Sequence, residues 1–175
     1  VAERLRHSKD TGRSATVLIG AGCSVKAGIP LASEFVTIIE QEFQHAYNRA
    51  ESKTYSGCME DLDIGQRREL IGRYIEKAKL NWAHIALAQL IKSGFVGRVL
   101  TTNFDPLVVK ACALIGEFPA VYDIASSKEI KPMLIAPKAI CYLHGQSNGF
   151  IMSNTYPEFD GLKKSISPLF EETAF

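Results

Sequence analysis

The sequence has no cysteine pair spaced for a metal, no long apolar run and no excess of charge of either sign, and each absence removes a class of protein. Its cysteines, Cys23, Cys58, Cys112 and Cys141, lie far apart and form no Cys-x-x-Cys pair, so neither a zinc site nor a disulfide frame is expected. Three of them stand in or beside apolar stretches, the setting of small core residues in a reducing compartment. No apolar stretch is long enough to cross a bilayer. The start, VAERLRHSKDTGRS, is polar and lacks the apolar centre of a signal peptide, which leaves the cytoplasm as the expected location. A formal net charge of +1 gives no electrostatic reason to expect nucleic acid or an acidic membrane as partner. Internal repeats and low-complexity tracts are also missing.

What is present is an ordinary apolar share, 46% of 175 residues, enough for one domain with its own core. Strand and helix signals alternate along it. VLIG at 17–20 is a short β-rich run ending in glycine, and Leu31, Phe35, Ile38, Ile39, Phe43 and Tyr47 then recur at helical spacing. Residues 48–65 lack clear periodicity and read as an excursion, a surface loop or a mobile cover. Two helical segments follow, marked by Leu70, Ile71, Tyr74, Ile75 and Ala78 and by Ile85, Leu87, Ala88 and Ile91, the second ended by Ser93-Gly94. GRVLTT at 97–102 reads as a buried strand. Asp105-Pro106 then predicts a helix start, with Asp as N-cap and Pro at the first helical position, and Gly116 closes that helix. Further strands are predicted at 120–122, 139–143 and 149–152, and a helical tail from 156 onward.

Such alternation predicts an α/β domain around a largely parallel sheet. Ligands of parallel sheets bind beyond the carboxyl ends of the strands, where Gly20, Asn103 and His144 fall. Glycines after a strand let backbone N–H groups approach a diphosphate closely, and a following helical turn directs its partial positive charge at the anion. Gly20-Ala21-Gly22 alone suits a tight turn as well as a nucleotide site, since Val25 stands where a third glycine of G-x-G-x-x-G belongs. Asp105 is explained equally by helix capping, and His144 taken alone by a structural role. Asn103, ending a strand in Thr-Thr-Asn, has no obvious capping duty. A Cys141–His144 dyad is not expected, because positions three apart on a strand face opposite sides. Cys23 reads as a small neutral filler of the glycine loop, and His7, His45 and His84 receive no role.

Taken together and in this order, GAGCSVKAGIP, TTNFD and LHG resemble the three NAD-site motifs of the sirtuin family, across roughly positions 16–155. The resemblance implies a Rossmann-like, mostly parallel sheet with helices on both faces, a helical insertion at 48–93, a polar N-terminal segment at 1–15 and a C-terminally incomplete domain. It implies that Gly20, Ala21, Gly22 and Ser24 line the diphosphate and that Ile29 and Pro30 close over nicotinamide. Thr102, Asn103 and Asp105 would complete the NAD-binding set beside the nicotinamide ribose and carboxamide. His144 would be the catalytic base, with Asn103 and Asp105 as its catalytic partners.

Three departures point to a branch. Protein-deacylating sirtuins follow Gly-Ile-Pro with Asp-Phe-Arg, place Gln before their Asn, and carry a four-cysteine zinc ribbon after His-Gly. Here Leu31-Ala32-Ser33, Thr102 and GFIMSNTYPEF stand instead. In these points the chain is similar to the ribbon-free, NAD-hydrolysing sirtuin-like domains of bacterial antiphage defence. That likeness implies NAD as substrate, no zinc, release of nicotinamide and ADP-ribose, and a homo-oligomer or attached sensor domain that restrains the site. Cleaving the nicotinamide–ribose bond passes through an oxocarbenium-like state, which needs a held dinucleotide, nearby stabilising groups and an activated hydroxyl. A histidine of near-neutral pKa suits the last task. NAD-dependent protein deacylation and non-catalytic binding of NAD or ADP-ribose are the alternatives.

Overall fold

The computed structural model describes residues 2–127 and 129–171. The polar start forms helix α1 (Ala2–Asp10), which has no buried residue and rests on the surface with the Lys9 ammonium over the Phe95 ring. Strand β1 (Ala15–Ile19) leads into two 3₁₀ turns, Ala21–Cys23 and Val25–Ala27, and the second ends at Gly28 with φ +96°. Five helices follow: α2 (Ala32–Glu42), α3 (Gln44–Arg49), α4 (Tyr55–Glu60), α5 (Ile64–Lys77) and α6 (Trp82–Lys92). The chain then alternates β2 (Val96–Thr101), α7 (Leu107–Leu114), β3 (Ala120–Asp123) and β4 (Ala139–Tyr142), and helix α8 (Tyr156–Glu171) comes last among the described residues.

The four strands form one sheet in the order β1-β2-β4-β3, with every neighbouring pair parallel. Leu18, Leu100, Cys141 and Tyr122 share one rung across it. Because side chains alternate along strands, the two faces collect different partners. Val99, Ile140 and Tyr142 pack under α6 and α7, while Leu100, Cys141 and Leu143 pack with Ile124, Ile135 and Leu169 of α8. This is the expected Rossmann-like arrangement with helices on both faces. Its consequence is positional: all strands end at the same edge, so the loops after β1, β2 and β4 are neighbours.

The segment after β1 has a core of its own, in which Ile39, Cys58, Met59 and Leu70 are completely buried. Removing each such large side chain from water contributes roughly 1.5–3 kcal/mol. Residues 48–65 are anchored in this core through Ala50, Cys58, Met59 and Leu62 and form part of a helical wall. They hold α4, six residues long and too short to carry a periodicity, started by Thr54, whose hydroxyl accepts the Gly57 N–H. Helix α5 begins with a reciprocal cap, Asp63 Oδ1 accepting the Gln66 N–H and Gln66 Oε1 accepting the Asp63 N–H.

Two expectations need correction. The helix predicted to open at Asp105-Pro106 begins at Leu107, so Pro106 occupies the cap position and Asp105 reaches past it to the Leu107 N–H at 3.0 Å. The strand predicted at 149–152 is absent from the sheet: Met152 makes a single antiparallel bridge back to Gly145. The chain reverses there because Gly145 sits at φ +92°, and a Cβ on it would lie 2.0 Å from the Ile151 carbonyl oxygen. The backbone of the returning loop is satisfied by a side chain instead of a strand. The Arg68 guanidinium donates to the carbonyls of Ser147, Gly149 and Phe150.

Candidate functional site

At the carboxyl edge of the sheet, the loops after β1, β2 and β4 open onto a cavity of about 220 Å³. Of the residues singled out in the sequence, Ala21, Ser24, Ile29, Pro30, Thr102, Asn103, Asp105 and His144 line it. Gly20 and Gly22 do not. Gly20 caps the first 3₁₀ turn, where a Cβ would stand 3.2 Å from the Thr102 hydroxyl, so its bare backbone lets the first two loops approach. Gly22 lies on the exposed outer side of that turn, where a Cβ would meet nothing within 4 Å. The rest of the lining is largely apolar: Phe104 from the loop after β2, and residues of the helical segment and α8, including Phe35, Tyr55, Ile71, Ile75 and Phe159.

The floor of the cavity is a closed hydrogen-bond network. The buried Ser24 hydroxyl donates to Asp105 Oδ2 at 2.8 Å and accepts from Asn103 Nδ2 at 3.1 Å. It also faces His84 Nε2 at 3.5 Å. His84 is fully buried on α6, and its Nδ1 accepts the Asn81 N–H at 3.3 Å, which puts the imidazole proton on Nε2, toward Ser24. Asp105 uses its other oxygen for the Leu107 N–H, and the Tyr142 hydroxyl donates to the Asp105 carbonyl at 3.0 Å. Asp105 is thus a helix cap and a site residue at once. Asn81 completes the arrangement, its side-chain amide donating to the Cys23 carbonyl at 2.9 Å and tying the glycine loop to α6.

His84 was given no role from the sequence, and the signal for it was available. Asn81 followed three residues later by a histidine on an otherwise apolar helix is a reciprocal cap, with Asn81 accepting the Ala83 and His84 N–H groups. A buried imidazole reached by such a cap needs a second polar partner, and Ser24 supplies it.

His144 is set differently. It is half-buried at the end of β4, and among the described residues neither of its ring nitrogens has a hydrogen-bond partner. Burial pushes its pKa below the ordinary histidine value, so it is neutral and able to accept a proton at pH 7. The Phe159 ring stacks on it with centroids 4.3 Å apart and planes tilted by 28°. His84 is also held below the ordinary value, by burial that the Asp105 carboxylate opposes. Cys141 lies in the apolar cluster on one sheet face, and burial pushes its thiol up to about 11, which suits a core residue rather than a nucleophile. Burial, and then the Asp105 charge, raise the Cys23 thiol as well.

Comparison with known proteins bears on this geometry. No protein-family model matches the chain. Over 110 residues, 57% of the chain, it is 33% identical to the NAD-dependent protein deacylase SIR2rp2 of Leishmania major. The chain spans 31% of that protein's length. A crystal structure of Sir2 with the inhibitor EX-527, 2′-O-acetyl-ADP-ribose and a deacetylated p53 peptide shares 22% identity, with 77% of this chain and 41% of that one covered, at a TM-score of 0.37. A score that low adds nothing to the topology described above.

Among the described residues, no group of three or more His, Cys, Asp or Glu is placed to hold a metal ion, and no helix is long and apolar enough to cross a membrane.

Proposed function

We propose that the chain is an NAD glycohydrolase module, with NAD as substrate and nicotinamide and ADP-ribose as products. The observation that carries this reading is that the Ser24–Asn103–Asp105 cluster and the unpartnered imidazole of His144 face one cavity lined by the glycine loop. The lining suits the nicotinamide end of a dinucleotide: the apolar wall with Ile29, Pro30 and Phe35 fits a flat pyridine ring, and Ala21 brings the glycine loop to the cavity's edge.

In the proposed reaction the bond between the ribose C1′ and the nicotinamide nitrogen breaks, and nicotinamide leaves with the electron pair. A water oxygen bonds to C1′ and its proton passes to His144. Asn103, oriented by Ser24, holds the ribose or the water. The buried Asp105 carboxylate stabilises developing positive charge and retains lone pairs for the carboxamide N–H.

The likeness to a protein deacylase favours a second reading, transfer of an acyl group from lysine to NAD-derived ribose. The Phe159 ring stacked on His144 weighs against it, since an acyl-lysine approaching that face of the imidazole would meet the ring. The same motifs and the residues after His144 support placement among antiphage effectors. Uncontrolled NAD cleavage would drain the cell, which supports an oligomer or an attached sensor as the restraint. Incubation with NAD alone, and with NAD plus an acetyl-lysine peptide, separates the readings. Nicotinamide and ADP-ribose without peptide are expected; peptide-dependent formation of an acetylated ribose ester would replace the hydrolase reading with the deacylase one. Binding of NAD without any product would leave a sensing module.

A further inference from the structure

Phe159 touches the candidate base and has no part in the reaction described above. Its position is built rather than incidental. Gly145 reverses the chain immediately after His144, and the Ser153 N–H donates to the His144 carbonyl at 2.8 Å, laying the returning segment beside it. The next residues are fastened to the helical wall. The Tyr55 hydroxyl donates to Asn154 Oδ1 at 2.7 Å, the Tyr156 N–H donates to the Ser56 hydroxyl at 2.7 Å, and Arg67 pairs with Glu158 at 3.0 Å. Glu158 also accepts the N–H groups of Asn154 and Thr155, which caps the start of α8. Burial works against ionisation of Glu158, but these N–H groups and Arg67 more than offset it and hold the carboxyl below its ordinary value. With the first turn of α8 fixed on so many sides, Phe159 is delivered onto one face of the imidazole and into the cavity that His144 lines.

We propose that Phe159 is the acceptor wall of the site: by stacking on His144 and filling the space beside it, the ring limits the nucleophile that His144 can deprotonate to one the size of water. The proposal rests on the hydrolase reading and adds to it the reason why water, rather than an alcohol or an amino-acid side chain, receives the ribosyl group. Removing the ring leaves the chemistry balanced with a larger acceptor. The oxygen of an alcohol bonds to C1′, its proton passes to His144, nicotinamide leaves, and the product is the 1′-O-alkyl ether of ADP-ribose.

The test uses the full chain with NAD in water containing methanol or 1-propanol, and reads the ratio of alkyl-ADP-ribose to ADP-ribose. The wild-type protein is expected to give ADP-ribose almost exclusively. Phe159→Ala and Phe159→Leu are expected to raise the alcohol-derived share by about tenfold, the low end of what a carbon or two of pocket space is worth. Phe159→Tyr keeps the ring and is expected to keep the wild-type ratio. A ratio unchanged in active Ala and Leu variants, or a wild type that already transfers to propanol as readily as its Ala variant, overturns the proposal.

A second readout does not need turnover: the rate at which diethyl pyrocarbonate modifies His144, followed by mass spectrometry. The exposed His7 and His45 serve as fast references and the buried His84 as the folding control. His144 is expected to react slowly in the wild type and severalfold faster in Phe159→Leu, with His84 slow in both. A wild-type His144 that reacts as fast as His45 overturns the proposal even where every variant unfolds. Protection of His144 with no NAD cleavage leaves the wall standing and sinks the hydrolase reading, whereas NAD cleavage with unprotected His144 and an unmoved ratio sinks the wall alone.

Discussion

The two halves of the cavity use the same residue types in opposite ways. On the floor, Ser24 joins Asn103, Asp105 and His84 in one hydrogen-bonded cluster, which leaves spare capacity only on Asn103 and Asp105. On the other side, His144 spends neither ring nitrogen on any described residue and is held through its carbonyl and its ring face. A connected network fixes geometry and contributes to stability, while an unpaired neutral imidazole contributes little to stability and is left for proton transfer. Two histidines, one lining the cavity and one buried behind Ser24, both with pKa values lowered by burial, thus belong to different parts of the machinery.

The largest effect expected from this division is at His144. His144→Ala is expected to lower nicotinamide release by about 10²–10⁴-fold, the range for loss of a general base. The same variant is expected to lose no more than about 1.5 kcal/mol of stability, the value of one aromatic stack. Nicotinamide release and urea unfolding of one preparation check both halves of the statement. A variant that unfolds but keeps its turnover per folded molecule breaks the comparison outright.

Ser24→Ala is the converse. It removes the hydroxyl shared by three partners and leaves the Asn103 amide, the His84 Nε2–H and Asp105 Oδ2 each short of one. The expected cost is about 1–3 kcal/mol in unfolding free energy. Turnover is expected to fall as well, because Asn103 loses the contact that orients it. Ser24→Ala and His84→Gln act on one network, so their stability costs are expected to be less than additive in the double variant.

The histidines also predict a pH dependence with a definite sign. A histidine whose folded pKa lies below its unfolded value binds fewer protons when folded, so stability decreases as pH falls from about 6.5 toward the depressed folded value and levels off below it. Urea midpoints between pH 5 and 7.5 are expected to follow this course, with a shallower slope in His84→Gln. Activity falls over the part of that window where His144 gains a proton. Glu158 acts in a separate and more acid window, since its lowered carboxyl pKa contributes stability that is lost only as pH falls below the ordinary carboxylate range.

Much of the sheet was legible because β1, β2 and β4 carry short, β-rich apolar runs ended by turn residues, and α7 follows a recognisable Asp-Pro. The polar side of the cavity was legible for a similar reason: it lies in the loops directly after those strands, where local sequence and site coincide. The wall was not. Nothing in the letters GFIMSNTYPEF announces that Phe159 returns onto His144, because the return depends on the reversal at Gly145 and on Tyr55 and Ser56 receiving the start of α8, while the loop between is held by Arg68, some 80 positions earlier, through three carbonyls. An alternating apolar run of this kind reads as a strand until the distant guanidinium that satisfies its backbone is known. The helix α1 escaped notice for the opposite reason, having no apolar face to report it.

The smallest effect expected follows from that guanidinium. Arg68 donates to carbonyls of a surface loop whose neighbour Phe150 is almost wholly exposed, so water replaces most of what Arg68→Ala removes, and the stability cost is expected to stay within about 1 kcal/mol. The loop's geometry depends on the clamp more than the fold does. Amide exchange at residues 147–151 is expected to accelerate in Arg68→Ala while the sheet and α7 keep their protection. Since α8 is also fastened by Tyr55, Ser56 and Arg67, loosening the loop alone should leave Phe159 on His144 and NAD turnover within about twofold of wild type, a difference of less than 0.5 kcal/mol in barrier. Turnover that falls with the loop's protection would mean that the wall is held from the Gly145 side, and that the contacts at the start of α8 are consequences of the stacking rather than its cause.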